Sequence, residues 1–282
     1  MLSASHVADA VREAIPHVAT TLRPDALAAL EAALRTERSE RGRVVLEQLL
    51  ANAGIASGDS VPLCQDTGTV WVRIELGAEE CLCGDVQSEI DAAVALSFRD
   101  AKLRMSVVRD ALFDRTNTGT NTPAFVDVVH AARPGTGAIV HVMLKGGGSD
   151  NASRVEMLPP NAGIEGIRRV VLEAVEARAT GACPPLLVGV GVGSTFDKVA
   201  GLAKRALLRP IGEAAAGPSI SALEAELLEA INATGIGPGG LGGDTTALAV
   251  HVLTAPCHIA ALPVAVNLGC SAVRSATFRV GA

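Results

Sequence analysis

Four segments of this chain are too rich in glycine, threonine and asparagine to sit inside helices or strands: residues 64–68 (CQDTG), 117–121 (NTGTN), 145–149 (KGGGS) and 235–244 (GIGPGGLGGD). Each lies between strand-like and helix-like stretches, where backbone N–H groups can converge on an anion. Loops of this composition carry an entropic cost that is tolerated where the backbone approaches something closely or takes unusual dihedrals. Any one of them reads equally well as a tight turn. Four in one chain point to a site.

The segments between them set the fold class. Apolar residues at three- and four-residue spacing predict helices over residues 3–22 and 24–53, then over 85–108, 163–180, 196–208 and 219–233. Alternating or short continuous apolar runs predict strands at 69–75, 123–130, 137–144, 186–193, 246–253 and 263–268. Aromatic residues make up only 2% and tyrosine is absent, so the core must be built from Ala, Val, Leu and Ile. With no internal repeat, long linker or low-complexity tail, the pattern predicts one mixed α/β domain over residues 1–282. A helical N-terminal lobe covers about 1–56, and a mixed sheet carries the glycine-rich loops around a site.

A formal net charge of −6 gives no electrostatic footprint for nucleic acid or an anionic membrane surface. The opening residues MLSASHVADAVREAI lack the basic and apolar regions of a signal peptide. The most apolar stretch, residues 247–270, is interrupted by His251, Thr254, Pro256, His258 and Pro263, which a membrane helix would not carry. A cytoplasmic location is the expectation. Low charge (19%) with 49% hydrophobic residues also fits a surface covered in part by a partner subunit.

Six cysteines without a secretion signal argue for reduced thiols, some of them metal ligands, rather than a disulfide framework. Cys64, Cys183 and Cys270 sit in the settings PLCQDTG, ACPPLLVG and LGCSAVR, each beside Pro or Gly at the edge of an apolar run. Their wide separation differs from the short ligand spacing of ferredoxins and from the paired knuckles of structural zinc. On residue type alone, each reads first as a small core hydrophobe. Cys81 and Cys83 read as structural or surface thiols. Cys257, thirteen residues before Cys270, competes with it as a ligand.

The segments PLCQDTGT, NTGTNTPA, KGGGS, CPPLLVGVGVG and NLGCSAVR occur in this order. In this the chain resembles class I, iron–sulfur fumarate hydratases and the closely similar L-tartrate dehydratases, and specifically the alpha subunit of the two-subunit form. The resemblance covers about residues 62–278. It implies a [4Fe–4S] cluster held by Cys64, Cys183 and Cys270, with one iron not ligated by protein. The C-x-A-x-R pattern, with Ala272 and Arg274 in place, selects Cys270 over Cys257. The resemblance further implies substrate binding by Arg104, Gly147 and His258. Gln65 and Asp66 become the catalytic candidates, Asp66 for proton transfer or for orienting the group that does it. A smaller beta subunit would complete the active site around a small dicarboxylate, leaving this chain alone nearly inactive.

Three function readings follow. The main one is a hydro-lyase acting in the reversible hydration of fumarate to malate, with dehydration of L-tartrate as the alternative. A third, of another class, is a non-catalytic iron–sulfur carrier or sensor, which Cys257 as a fourth ligand would favour. A nucleotide-binding reading of Gly189-x-Gly191-x-Gly193 fails, because the G-x-G-x-x-G spacing breaks at Ser194 and no acidic residue ends a following strand.

Overall fold

A computed structural model describes residues 1–281. In chain order the elements are β1 (Leu2–Ser3), α1 (Ala4–Thr20), α2 (Pro24–Thr36), α3 (Glu40–Asp59), β2 (Thr69–Leu76), β3 (Leu82–Cys83) and α4 (Val86–Asp100). There follow β4 (Phe125–His130), β5 (Ala138–Lys145), the short helix α5 (Gly147–Asn151), β6 (Arg154–Leu158) and α6 (Gly163–Arg178). The remaining elements are β7 (Leu186–Ser194), α7 (Phe196–Ala206), α8 (Pro218–Asn232), β8 (Ala247–Cys257), β9 (Leu262–Gly269) and β10 (Ser275–Val280). The mixed α/β class expected from the sequence is the one observed. The chain divides into two compact units, one from Met1–Arg23, Ile55–Gly147 and the residues from Arg274 onward, the other from Pro24–Gly54 and Gly148–Val273.

The first unit is built on a sheet of order β10-β5-β2-β4, in which β2 runs parallel to β4 and antiparallel to β5. Strand alternation along β2 sends Val70, Val72, Ile74 and Leu76 to one face, where they pack with Val140, Val142 and Leu144 of β5. Against this face lie Val7, Val11, Ile15 and Val18 of α1 and Ile90, Val94 and Phe98 of α4. The spacing of those residues gives each helix one apolar stripe. Ser3 caps α1 by accepting from the His6 N–H (3.2 Å), and Asp85 caps α4 by accepting from the Ser88 N–H (3.1 Å). The opposite face of β2 is polar. Trp71 donates its Nε1–H to Asp127 (3.1 Å), and Arg73 pairs with Glu75 (2.7 Å).

The second unit repeats this strand logic in the order β6-β9-β7-β8, with β7 parallel to β8 and antiparallel to β9. Leu186, Val188, Val190 and Val192 form one face of β7 with Val250, Val252, Val264, Val266 and Leu268, covered by α6 and α8. The other face explains the alternating glycines of GVGVG. A Cβ at Gly189 would stand 2.3 Å from the Ala203 carbonyl, and one at Gly191 would stand 2.6 Å from that of Val199, so α7 rests with its backbone directly on the strand. These glycines serve helix–sheet packing.

Several predicted boundaries change. The single helix over 24–53 is two, α2 and α3, because the chain breaks at residues 37–39, whose groups grip a loop of the same unit. Glu37 accepts from the Ser39 N–H (3.0 Å), and the Arg38 N–H goes to Asp244 (3.1 Å). The helix over 85–108 stops at Asp100. There Lys102 takes a left-handed conformation (φ +54) and the Leu103 N–H returns to the Phe98 carbonyl (2.8 Å), a Schellman closure made without glycine and so not flagged by composition. The KGGGS segment runs from the last residue of β5, Lys145, into α5, which begins at Gly147, rather than forming a turn. Strands β6 and β10 were not predicted. Their mixed polar sequences, RVEML and SATFRV, acquire strand structure by pairing with β9 and β5 at the edges of the two sheets.

Trp71, the only tryptophan, is buried in β2 and reports on the first unit. Ile74→Ala, three residues further along β2 on its fully buried face, is expected to destabilise that unit by about 2–5 kcal/mol. Trp71 fluorescence during urea denaturation measures it, and an unchanged midpoint would contradict the core assignment.

Candidate functional site

In the first unit the glycine-rich segments are knitted into one structure around Asp66. Its Oδ1 accepts from the Gly68 N–H (3.0 Å) and its Oδ2 from the Gly147 N–H (2.7 Å), so one carboxylate joins the 64–68 loop to the 145–149 segment. Gly68 has φ +80, and a Cβ there would meet the Lys145 carbonyl oxygen at 2.3 Å, so only glycine permits this approach. The 117–121 segment joins through Asn121, fully buried, whose Nδ2 donates to the Gly68 carbonyl (3.1 Å) while its Oδ1 accepts from the Ser106 N–H (2.7 Å). The Thr67 hydroxyl donates to the backbone carbonyl of Arg104. Arg104 thereby lies in the stretch that follows α4, directly bonded to the loop carrying Cys64, Gln65 and Asp66, with its residue exposed. Gln65 and Gly147 are exposed, while Cys64 and Asp66 are half-buried.

Asp66 was expected to transfer a proton or to orient the group that does so. Two backbone N–H groups occupy both its carboxylate oxygens, an arrangement suited to holding loops in place. Arg274, known from the sequence only as part of the C-x-A-x-R pattern, extends the same network by donating from Nη1 to the Asp66 carbonyl (2.7 Å). Asn121 was embedded in NTGTN, and its burial was the missing signal.

In the second unit Cys183 and Cys270 are neighbours through the backbone, for the Ser271 N–H donates to the Cys183 carbonyl (3.1 Å). Cys183 ends a 3-10 turn in the left-handed region (φ 56, ψ 70), and its residue is exposed. Cys270, half-buried just after β9, points its thiol at the Ala272 carbonyl (3.4 Å). The fourth glycine segment braces this corner, since the Gly239 N–H donates to the Pro184 carbonyl (2.8 Å). That segment is anchored by Glu37, whose carboxylate accepts from the N–H groups of Asp244 and Thr245. Burial alone would raise the Glu37 pKa, but these bonds and the one from Ser39 outweigh it and lower it. Arg38 grips Asp244 bidentately (2.8 and 2.6 Å), and chiefly this hydrogen bonding pulls the Asp244 pKa from 3.8 down to about 2.

His258 and Cys257 stand exposed at the turn between β8 and β9 of the same unit, where His258 Nδ1 accepts from the Ala260 N–H (3.1 Å) and the Cys257 thiol faces the Ala261 carbonyl (3.2 Å). Cys81 and Cys83 lie in and beside β3 of the first unit, and both are exposed. None of the six cysteines is in a disulfide. Among the described residues, no group of three or more His, Cys, Asp or Glu side chains stands together as a metal-ion site, and no helix is long and apolar enough to cross a membrane.

Residues 8–279 match the family model described as fumarate hydratase (Fumerase). The chain belongs to the Fumerase family. Within that similarity, it is 39% identical over 280 residues to "Putative L(+)-tartrate dehydratase subunit alpha" of Methanocaldococcus jannaschii, covering 97% of each chain. It is 34% identical over 267 residues to L(+)-tartrate dehydratase subunit alpha of Escherichia coli strain K12, covering 94% of this chain and 88% of that one. The corresponding protein of Escherichia coli O157:H7 is 35% identical over the same length. The whole second unit of this Fumerase-family chain, most of the first and every glycine-rich segment fall inside the matched range.

Two outcomes check this geometry. Gly68→Ala forces a side chain into a left-handed backbone against a carbonyl oxygen and should lower stability by at least about 1–3 kcal/mol, with the loss measured by thermal unfolding. Asp244 has its folded pKa below its ordinary value, so its bonds to Arg38 add stability above pH 3.8, and that contribution is lost as pH falls from 3.8 through about 2. Carboxyl ¹³C NMR should place the Asp244 midpoint near 2 and move it towards 3.8 in Arg38→Ala; an identical midpoint in both would remove Arg38 as the cause.

Proposed function

We propose that this chain is the cluster-bearing alpha subunit of a two-subunit hydro-lyase that removes water from a small hydroxydicarboxylate, with L-tartrate ahead of the malate–fumarate pair. The observation that carries the reading is the family match over residues 8–279, joined to relatives named as alpha subunits of L(+)-tartrate dehydratase at 34–39% identity. The substrate order reverses the main expectation from the sequence. The motifs are shared by both activities, and selection between one hydroxyl and two is made by a few pocket contacts; the relatives' names favour tartrate.

The donor chemistry fits an iron–sulfur cluster. Cys64, Cys183 and Cys270 are outside disulfides, none is fully buried, and the last two are tied together at one corner of the second unit. These three thiolates would hold the cluster. An iron without a protein ligand supplies Lewis-acid chemistry towards a carboxylate and a departing hydroxyl.

The chain's own residues supply binding and order. The Arg104 guanidinium offers a planar fork that can take a carboxylate through two parallel hydrogen bonds, which a lysine cannot. Gly147, exposed at the start of α5, would offer the substrate backbone without a side chain. Asp66 orients the loop that carries Gln65, so that Gln65 would meet the substrate from a fixed backbone, and His258, exposed at the β8–β9 turn, would be a further substrate contact. The proton lost from the carbon beside the departing hydroxyl goes to a base on this subunit or on its partner, which closes the site.

Anaerobic reconstitution with iron and sulfide, followed by iron analysis and EPR, tests the ligand set. Cys64→Ser, Cys183→Ser and Cys270→Ser should each abolish cluster assembly, whereas Cys257→Ser should retain it. Loss of the cluster in Cys257→Ser would favour the carrier reading. With the partner subunit present, kcat/KM for L-tartrate should exceed that for malate by at least tenfold, and the reverse order would restore the fumarate reading.

A further inference from the structure

Arg274 is only 3% exposed, four residues beyond Cys270 and immediately before β10. Its backbone carbonyl accepts from the Leu144 N–H (2.9 Å), so its main chain is fixed against the end of β5. Among the described residues its guanidinium makes a single hydrogen bond, from Nη1 to the Asp66 carbonyl (2.7 Å). Nε is buried without an acceptor, and among the described residues no carboxylate forms an ion pair with this side chain. A buried cation spent on one backbone oxygen is a poor contributor to stability, because desolvating the charge costs more than a neutral hydrogen bond returns. What the residue does contribute is geometry.

That geometry converges on Asp66 from two sides. Arg274 holds its backbone carbonyl, while the Gly68 and Gly147 N–H groups hold its carboxylate. Gly146 lies between them. A Cβ there would stand 3.2 Å from Arg274 Nη2 and 3.2 Å from Asp66 Oδ2, so a side chain at this position would press on both anchors at once. A lysine at 274 could reach the carbonyl with one flexible ammonium, but it would lack the planar fork that fixes direction as well as distance.

We infer that Arg274 is the positioning residue of the Cys64–Gln65–Asp66 loop, setting its backbone so that Gln65 and Asp66 stand in their working places. The inference rests on the hydro-lyase reading for its effect on turnover, though not for its effect on the loop.

The test uses Arg274→Lys, with Gly146→Ala as a second variant, in the full chain alone and in the complex with its partner subunit. In the chain alone, amide hydrogen exchange at Gly68 and Gly147 should accelerate at least tenfold in each variant, while amides of central β2 keep their protection. In the complex, kcat should fall at least tenfold, KM for the dicarboxylate should change less than threefold, and iron content should match wild type. Unchanged exchange at Gly68 and Gly147 in both variants would overturn the inference, as would a kcat within twofold of wild type in Arg274→Lys. Loss of protection throughout β2 in both variants would reduce Arg274 to a general stabiliser and equally overturn it. A wild-type complex without hydro-lyase activity would sink the proposed function, while the exchange measurement would still decide the role of Arg274.

Discussion

The carboxylate of Asp66 is the constraint on which the first unit's site is built. Loops rich in glycine carry a large entropic cost when ordered, and they stay ordered only where strong, well-directed bonds hold them. A carboxylate accepting two backbone N–H groups is such a bond, stronger than a pair of neutral hydrogen bonds because the acceptor is charged. By joining Gly68 to Gly147 it sets the separation of two segments that lie far apart in sequence. The fit of Gly68 against the Lys145 carbonyl, the grip of Asn121 on the Gly68 carbonyl and the hold of Arg274 on Asp66 are all defined relative to that bridge.

The second unit solves the same problem with a different acid. Glu37, at the break between α2 and α3, collects N–H groups from Ser39, Asp244 and Thr245 and so orders the 235–244 loop. That loop in turn bonds Pro184, next to Cys183. In both units a carboxylate gathers backbone donors, and the cysteine-bearing turns adjoin the ends of central strands. The sheets themselves share a pattern, a central strand flanked by one parallel and one antiparallel neighbour, so the turns extend from rigid supports. Thiols presented by rigid turns can serve as ligands without an added ordering cost at the moment of binding.

Much of this was legible in advance. The helices and strands with strong apolar periodicity were read correctly in kind, as was the mixed α/β class, because burial on one face leaves a direct trace in residue spacing. The failures share one cause. The break at residues 37–39, the Schellman closure at Lys102 and the edge strands β6 and β10 all depend on partners distant in the chain. Asp244 captures Arg38 across more than two hundred positions, and β10 becomes a strand only beside β5. No local composition signals such a partner. The glycines of GVGVG illustrate the converse, since their alternation was visible in the sequence but their reason, close contact with α7, was not.

The sequence by itself therefore determined the kinds of elements, the aliphatic core, the glycine-rich segments and the family-like order of the cysteine motifs, because each is written in spacing and residue type. Only the tertiary structure decided that Asp66 anchors two loops, that Arg274 is buried with a single bond to that loop, and that Cys183 and Cys270 share a corner. Those facts depend on which donors and acceptors meet after folding. A hydrogen bond requires its partners within about 3 Å and in line, and that condition is set by the packing of strands and helices, which no single stretch of sequence contains.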